Sequence, residues 1–299
     1  MMLKNFGQME QFVREQSGKK RVALAAAHDA DALGSLMMAV DRGIAEAILI
    51  GRRKEIVRVL DEMGKAAGDF RIIEEEDDRA AADKAVELVH RGEADMPMKG
   101  LMHTSTFMKA ILDKEKGLKE EGNLLSQASV FEIPEKDRFL IISDCAVNID
   151  PDLETKIKIT ENAAALAHTL GIEQPKIAVL SAVEVVNPKI RSTVDAAAMR
   201  ERLSDRYLID GPLALDNAID EAAAHHKGIE SPVAGNADIL IVPDLWSGNI
   251  FSKGLVFFAH LRSAGTLNGL KAPVVMSSRT DTVENKYLSI LTAVLQTIR

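Results

Sequence analysis

Ser277, Ser278 and Arg279 stand together in residues 271–286, KAPVVMSSRTDTVENK, and their types suit the handling of an anion. A guanidinium can fork two hydrogen bonds to phosphate, and neighbouring hydroxyls can donate to the remaining oxygens. The apolar run before them, residues 273–276, has the length and β-branched content of a buried strand. Thr280, Asp281 and Thr282 read as the opening of a helix whose apolar stripe is Val283, Tyr287, Ile290, Leu291 and Val294. At such a strand–turn–helix junction, unpaired N–H groups and the helix dipole favour negative charge. An arginine there can also simply cap or bridge neighbouring loops, and both readings stay open.

Other chemistries have less support. The sequence holds no GxxxxGK[ST] loop, no GxGxxG fingerprint and no GxSxG elbow. The 7 histidines form neither HExxH nor a His/Cys cluster. His225 and His226 are adjacent, so they face different sides of a helix and read as surface residues. His28, beside Asp29 and Asp31, is either catalytic or an ordinary loop histidine. The single cysteine, Cys145, excludes an intrachain disulfide and a cysteine-rich zinc site. No histidine neighbours it in sequence, so a small buried thiol is the expectation rather than a nucleophile. Polar turns recur after apolar runs, at 103–106, 144–148, 187–188, 210–212, 243–244 and 247–249. Each alone is a plain turn or cap; together they enrich the edges where α/β sheets bind ligands.

The elements that would position these residues alternate. Strands are expected at 21–26, 48–50, 70–73, 94–96, 176–180, 207–210 and 238–242. Helices are expected at 31–40, 54–63, 79–91, after Thr104-Ser105, after Asp150-Pro151 with the aspartate as cap, and at 195–203, 213–226 and 248–261. This order predicts an α/β protein with mainly parallel sheets. Residues 130–133 and 139–142, split by Pro134, suit an antiparallel hairpin. The chain is longer than one core usually serves, so two domains are expected: residues 1–136, with helix 280–299 packing back on them, and residues 137–279.

Composition sets outer limits. Hydrophobic residues make up 46% and charged residues 27% of 299, ordinary for a globular enzyme. A net charge of −8 with no basic run argues against nucleic-acid or anionic-membrane binding, while a few cations gathered in one place could still bind a polyanion. Lys109, Lys253 and Arg279 are the candidates for that gathering. No apolar run approaches the roughly 18 residues of a membrane span, and the first ten residues lack a signal peptide's apolar centre, so a cytoplasmic protein is expected.

Segments ADMPMKGLMHTSTFMKAILDKEKGL, LIISDCAVNIDP, KIAVLSAVEVVNPKI, DGPLALDNAI, PVAGNADILIVPDLWSGNIFSKGLVFFA and APVVMSSRTDTVENKYLSI follow one another from Ala94 onward. In that order and spacing they resemble the phosphate acetyl/butyryltransferases, most closely the butyryltransferase branch. The resemblance implies two α/β domains with a cleft between them, a fold similar to isocitrate and isopropylmalate dehydrogenases, and a homo-oligomer. It implies no metal and no organic prosthetic group. The implied reaction converts a short acyl-CoA, foremost butyryl-CoA, and phosphate to acyl phosphate and coenzyme A by direct attack in a ternary complex. A phosphate acetyltransferase and a silent acyl-CoA-binding subunit are the alternatives.

Under this resemblance Arg279 holds phosphate and Ser278 donates to the oxyanion or the sulfur. Thr104, Ser105 and Lys109 add phosphate contacts, although Lys109 stands where relatives carry an arginine. Asp144, Asn148, Asn249 and Lys253 line the CoA and acyl cleft, or else serve as caps and bridges. In the acetyltransferase branch an acidic residue lies six positions after the arginine; here that position is Asn285, which cannot act as a base. Asp281 and Glu284 are the nearby carboxylates left for the acid–base or orienting role.

Overall fold

The computed structural model describes residues 1–16 and 18–299. Contacts divide the chain into two units, Phe6–Asn123 with Ala264–Arg299, and Met1–Asn5 with Leu124–Ser263.

The first unit opens with α1 (Phe6–Gln16), β1 (Lys20–Ala25), α2 (Ala30–Asp41), β2 (Ala45–Gly51), α3 (Arg53–Glu62), β3 (Arg71–Glu74), α4 (Asp78–His90), β4 (Met96–Lys99) and α5 (Thr104–Ile111). Aspartates punctuate it: Asp29 accepts from the Asp31 N–H and caps α2, and Asp77 accepts from Ala80 and caps α4. The strands are parallel and ordered β3-β2-β1-β4. The chain therefore leaves β1 toward β2 and β3, then crosses back to β4 on the other side. Ligands of open parallel sheets bind where the strand order reverses in this way, outside the carboxyl ends of the strands. At that end Gly100 donates to the Ala25 carbonyl at 2.8 Å. A Cβ on Gly100 would lie 2.3 Å from the Ala26 oxygen, so only glycine lets the chain pass there.

The second unit contains β5 (Ser126–Ile133), β6 (Arg138–Ser143), α6 (Leu153–Thr169), β7 (Lys176–Leu180), α7 (Arg191–Leu203), β8 (Leu208–Leu213), α8 (Leu215–Ile219), α9 (Glu221–His226), β9 (Ile239–Ile241) and α10 (Leu245–Phe257). Strands β5 and β6 form the expected antiparallel hairpin, paired from Ala128↔Ser143 to Ile133↔Arg138. That pairing keeps both strands in one unit, so the division falls at 123/124 and not in the turn at 136/137. Within the unit the strands run in the order β5-β6-β9-β7-β8, parallel from β6 onward. Phe131, Ile142, Val233 and Leu240 are fully buried on this sheet, each contributing roughly 1.5–3 kcal/mol of burial energy.

The helix expected at 195–203 begins already at Arg191, and at three other helix starts an aspartate decides the departure from expectation. Asp152, not Asp150, caps α6 by accepting from the Thr155 N–H at 2.8 Å, and Asp150 instead pairs with Arg191. The helix expected over 213–226 is two, because Leu213 ends β8 and Asp220 caps α9 through the Ala223 N–H. Asp244 caps α10 four residues before Gly248, accepting from the Ser247 N–H at 2.8 Å.

The chain then returns through β10 (Ser263–Asn268) to the first unit and ends in α11 (Val283–Gln296). The strand expected at 273–276 is reduced to single bridges: Val274 with Leu267 and Val275 with Met98. These two valines pair in opposite senses with different partners, so no ladder can propagate. Thr282 caps α11 by accepting from the Asn285 N–H at 3.1 Å, which places 280–282 before the helix rather than in its first turn. Residues 285–295 are buried throughout, as a helix covered on all sides must be. It packs on α1 and α2. Tyr287 donates to Glu10 at 2.8 Å, with the Arg42 guanidinium 4.6 Å from its ring centroid. Among the described residues no helix is long and apolar enough to cross a membrane.

Candidate active site

Two groups of polar side chains occupy strand ends, one in each unit. The first surrounds residues 278–281. Asp281 accepts from the Ser278 N–H at 2.7 Å while its own N–H donates back to the Ser278 carbonyl at 3.2 Å. Ser278 and Thr280 hydroxyls lie 3.0 Å apart. The turn is thus closed on itself, leaving Ser278 and Arg279 exposed. Arg279 Nη2 donates to the Met102 carbonyl at 3.2 Å, two residues before α5. The N-cap residue of α5, His103, makes no side-chain cap bond to the first N–H groups of the helix. Thr104 and Ser105 are the first residues of α5 and both are exposed. Lys109 lies in its last turn, one turn beyond Ser105 on the same face.

Two lysines that the sequence reading did not single out as ligands belong to this group. Lys99 ends β4 and is 5% exposed; its Nζ donates to the Gly100 carbonyl at 3.3 Å. Burial, then the charges of Arg279 and Lys286, hold its pKa below the usual lysine value, with Asp29 opposing. Lys286, also buried, donates to the carbonyls of Arg279 and Asp281 and so ties α11 to the turn. The Lys99-Gly100 turn was visible as a strand end, but nothing local marks either lysine as buried. Glu284 is exposed in the first turn of α11, and Asn285 is buried behind it.

The second group surrounds residues 144–148. Buried Asp144 accepts from the N–H groups of Ala146 at 2.8 Å, Val147 at 2.9 Å and Gln127 at 3.1 Å, and from Asn148 Nδ2 at 2.6 Å. Its oxygens are spent on the loop, as a capping role requires. Asn148 gives its other amide hydrogen to the Leu125 carbonyl at 3.0 Å. Asn249, in α10, donates to the Cys145 carbonyl at 3.2 Å. That contact depends on Gly248, where a Cβ would lie 2.5 Å from the Asp144 oxygen. Lys253 is one turn further along α10 and exposed. Cys145 is buried, and burial followed by the Asp144 charge pushes its thiol far above the usual range. His225 and His226 are exposed on α9. Among the described residues no group of three or more His, Cys, Asp or Glu side chains could hold a metal ion.

The chain is similar to known proteins. The family model described as phosphate acetyl/butaryl transferase matches residues 78–294. The phosphate butyryltransferase of Clostridium acetobutylicum is 45% identical over 299 residues, covering 98% of each chain. The phosphate acetyltransferase of Thermotoga maritima is 42% identical over 288 residues, covering 94% of this chain and 97% of the relative. A crystal structure of a branched-chain phosphotransacylase from Enterococcus faecalis V583 superimposes with a TM-score of 0.83 at 35% identity, covering 93% and 98% of the two chains.

Proposed function

The chain belongs to the phosphate acetyl/butyryl transferase family, and from that premise we propose that it converts butyryl-CoA and phosphate to butyryl phosphate and coenzyme A. One observation carries the reading at the level of residues. Arg279 is held against the turn before the start of α5 by its bond to Met102. A guanidinium and a helix N-terminus side by side suit a phosphate.

In this reading Arg279 orients phosphate, with Thr104, Ser105 and Lys109 supplying further donors. A phosphate oxygen attacks the thioester carbonyl, and the C–S bond breaks as the tetrahedral intermediate collapses. Ser278 donates to the oxyanion or the departing sulfur, and the thiolate takes its proton from solvent. Orientation and preorganised donors are the main sources of rate here. Asn249 and Lys253 contact coenzyme A, while Asp144 and Asn148 build the loop beneath Asn249. The reaction needs no metal or prosthetic group, so phosphate-dependent thiol release survives exhaustive chelation. It takes place in the cytoplasm.

Acetyl-CoA is the second reading, because the Thermotoga relative at 42% identity is a phosphate acetyltransferase. Thiol release with acetyl-, butyryl- and branched acyl-CoA, each with and without phosphate, decides between them. The expected result is phosphate-dependent release fastest with butyryl-CoA. Release independent of phosphate overturns the proposal in favour of thioester hydrolysis, and none with any acyl-CoA leaves a silent acyl-CoA-binding subunit. A homo-oligomer is part of the reading: Trp246, Ile250 and Phe257 expose an apolar stripe along α10 that a second copy would cover, and light scattering tests it.

A further inference from the structure

Strands β1 and β4 are the pair between which the strand order of the first unit reverses, so a ligand outside their carboxyl ends meets the residues that follow them. Lys99 is the last residue of β4 and is 95% buried by its 5% exposure. Among the described residues its ammonium has one hydrogen-bond partner, the Gly100 carbonyl at a long 3.3 Å, for three donors. Lys286 differs, because its ammonium is engaged with the Arg279 and Asp281 carbonyls. The charged groups acting on Lys99 are Arg279 and Lys286 of like sign and Asp29 of opposite sign. Asp29 already accepts from the Asp31 N–H as the cap of α2.

Lys99 and Lys286 are both buried, Arg279 adds a like charge, and Asp29 is the one carboxylate named against them, so positive charge is in excess. Such an excess is unfavourable unless an anion joins it. An unpartnered polar atom lies at the same sheet edge: His28 follows β1, is 8% exposed, and its Nδ1 has no hydrogen-bond partner among the described residues. It can donate from that nitrogen when protonated there.

We propose that Lys99 is a second cation of the phosphate site, giving its unspent donors to inorganic phosphate while Arg279 forks its guanidinium onto the other oxygens. This rests on the acyl-transfer reading for the identity of the anion. Lysine suits the task as a compact charge with rotatable donors, able to follow phosphate as it becomes an acyl phosphate. Lys286 is then a positioning residue, fixing the carbonyls of the Arg279 turn without touching the anion.

The test compares wild type, Lys99→Met and Lys99→Arg by 31P line broadening with inorganic phosphate alone, and by KM for phosphate and for butyryl-CoA. Loss of a charge-assisted bond weakens phosphate binding by about 10- to 100-fold in Lys99→Met, with KM for butyryl-CoA unchanged and partial rescue in Lys99→Arg. Unchanged phosphate binding in Lys99→Met overturns the inference, as does an equal loss for both substrates. If the methionine variant fails to fold, Lys99→Gln keeps a polar side chain without the charge and must show the same selective loss. A wild type that binds phosphate through Lys99 but releases no thiol sinks the acyl-transfer reading and leaves this site standing. Normal turnover with an unaltered KM for phosphate in Lys99→Met does the reverse.

Discussion

The Arg279 guanidinium donates to the Met102 carbonyl at 3.2 Å across a sequence separation of 177 residues. One amino group is thereby anchored to the turn before α5, and the remaining donors of a rigid fork are oriented. Arg279→Lys loses both the anchor and the fork, and turnover falls by roughly two orders of magnitude or more. The melting temperature changes little, because the side chain is exposed. Near-normal turnover in a folded lysine variant removes Arg279 from the phosphate site.

Asp281 accepts from the Ser278 N–H at 2.7 Å, which makes it an organiser of the turn before it is a base. Asp281→Asn keeps an acceptor there and retains most of the activity with an unshifted pH–rate profile. Asp281→Ala loses the acceptor and drops turnover about tenfold. Glu284→Gln stays near wild type. Equal losses in the Asn and Ala variants, with one limb of the profile abolished, would instead identify Asp281 as the base.

Cys145 is buried, its Sγ 3.5 Å from the Ile142 carbonyl, with the thiol pushed far from ionisation by burial. Cys145→Ser therefore keeps most of its turnover while losing about 1–3 kcal/mol of stability from burying a hydroxyl. Urea titration and steady-state rates check both halves. A mass-spectrometric acyl adduct on Cys145 would contradict the direct-attack mechanism.

Lys99 gives a pH signature without phosphate. Burial, then Arg279 and Lys286, lower its pKa in the folded state. The folded protein thus binds fewer protons than the unfolded chain between that value and the unfolded value of about 10.4. Stability from this group is fully present above the unfolded pKa and is lost as pH falls through the folded pKa. The difference in unfolding free energy between wild type and Lys99→Met should therefore grow in favour of wild type as pH rises through that window. A flat difference would mean that Lys99 is not held in this environment.

Much of the fold was legible because it is written in local rules. The runs that became β1, β2 and β7 are short and apolar, and aspartates stand before the helices they cap. The pairing of 130–133 with 139–142 followed from two strands separated by Pro134. The Ser278-Arg279 turn stood out for the same reason, a polar break between apolar segments. Helix starts were misplaced where two aspartates competed, as with Asp150 and Asp152, since composition does not say which carboxylate reaches the N–H three residues on.

Tertiary structure alone decided which charges meet. Lys99 and Lys286 look like ordinary surface lysines in a chain with 37 Lys and Arg residues. They are buried because β4 crosses to the far side of β1 and the last helix returns to pack on α1 and α2. Val274 and Val275 have strand-forming side chains, yet they make only single bridges because their partners, Leu267 and Met98, pair with them in opposite senses. Residue type and spacing set what each side chain can do within a turn or two. Burial, and with it the strength and sign of a charge's effect, depends on neighbours brought from far along the chain.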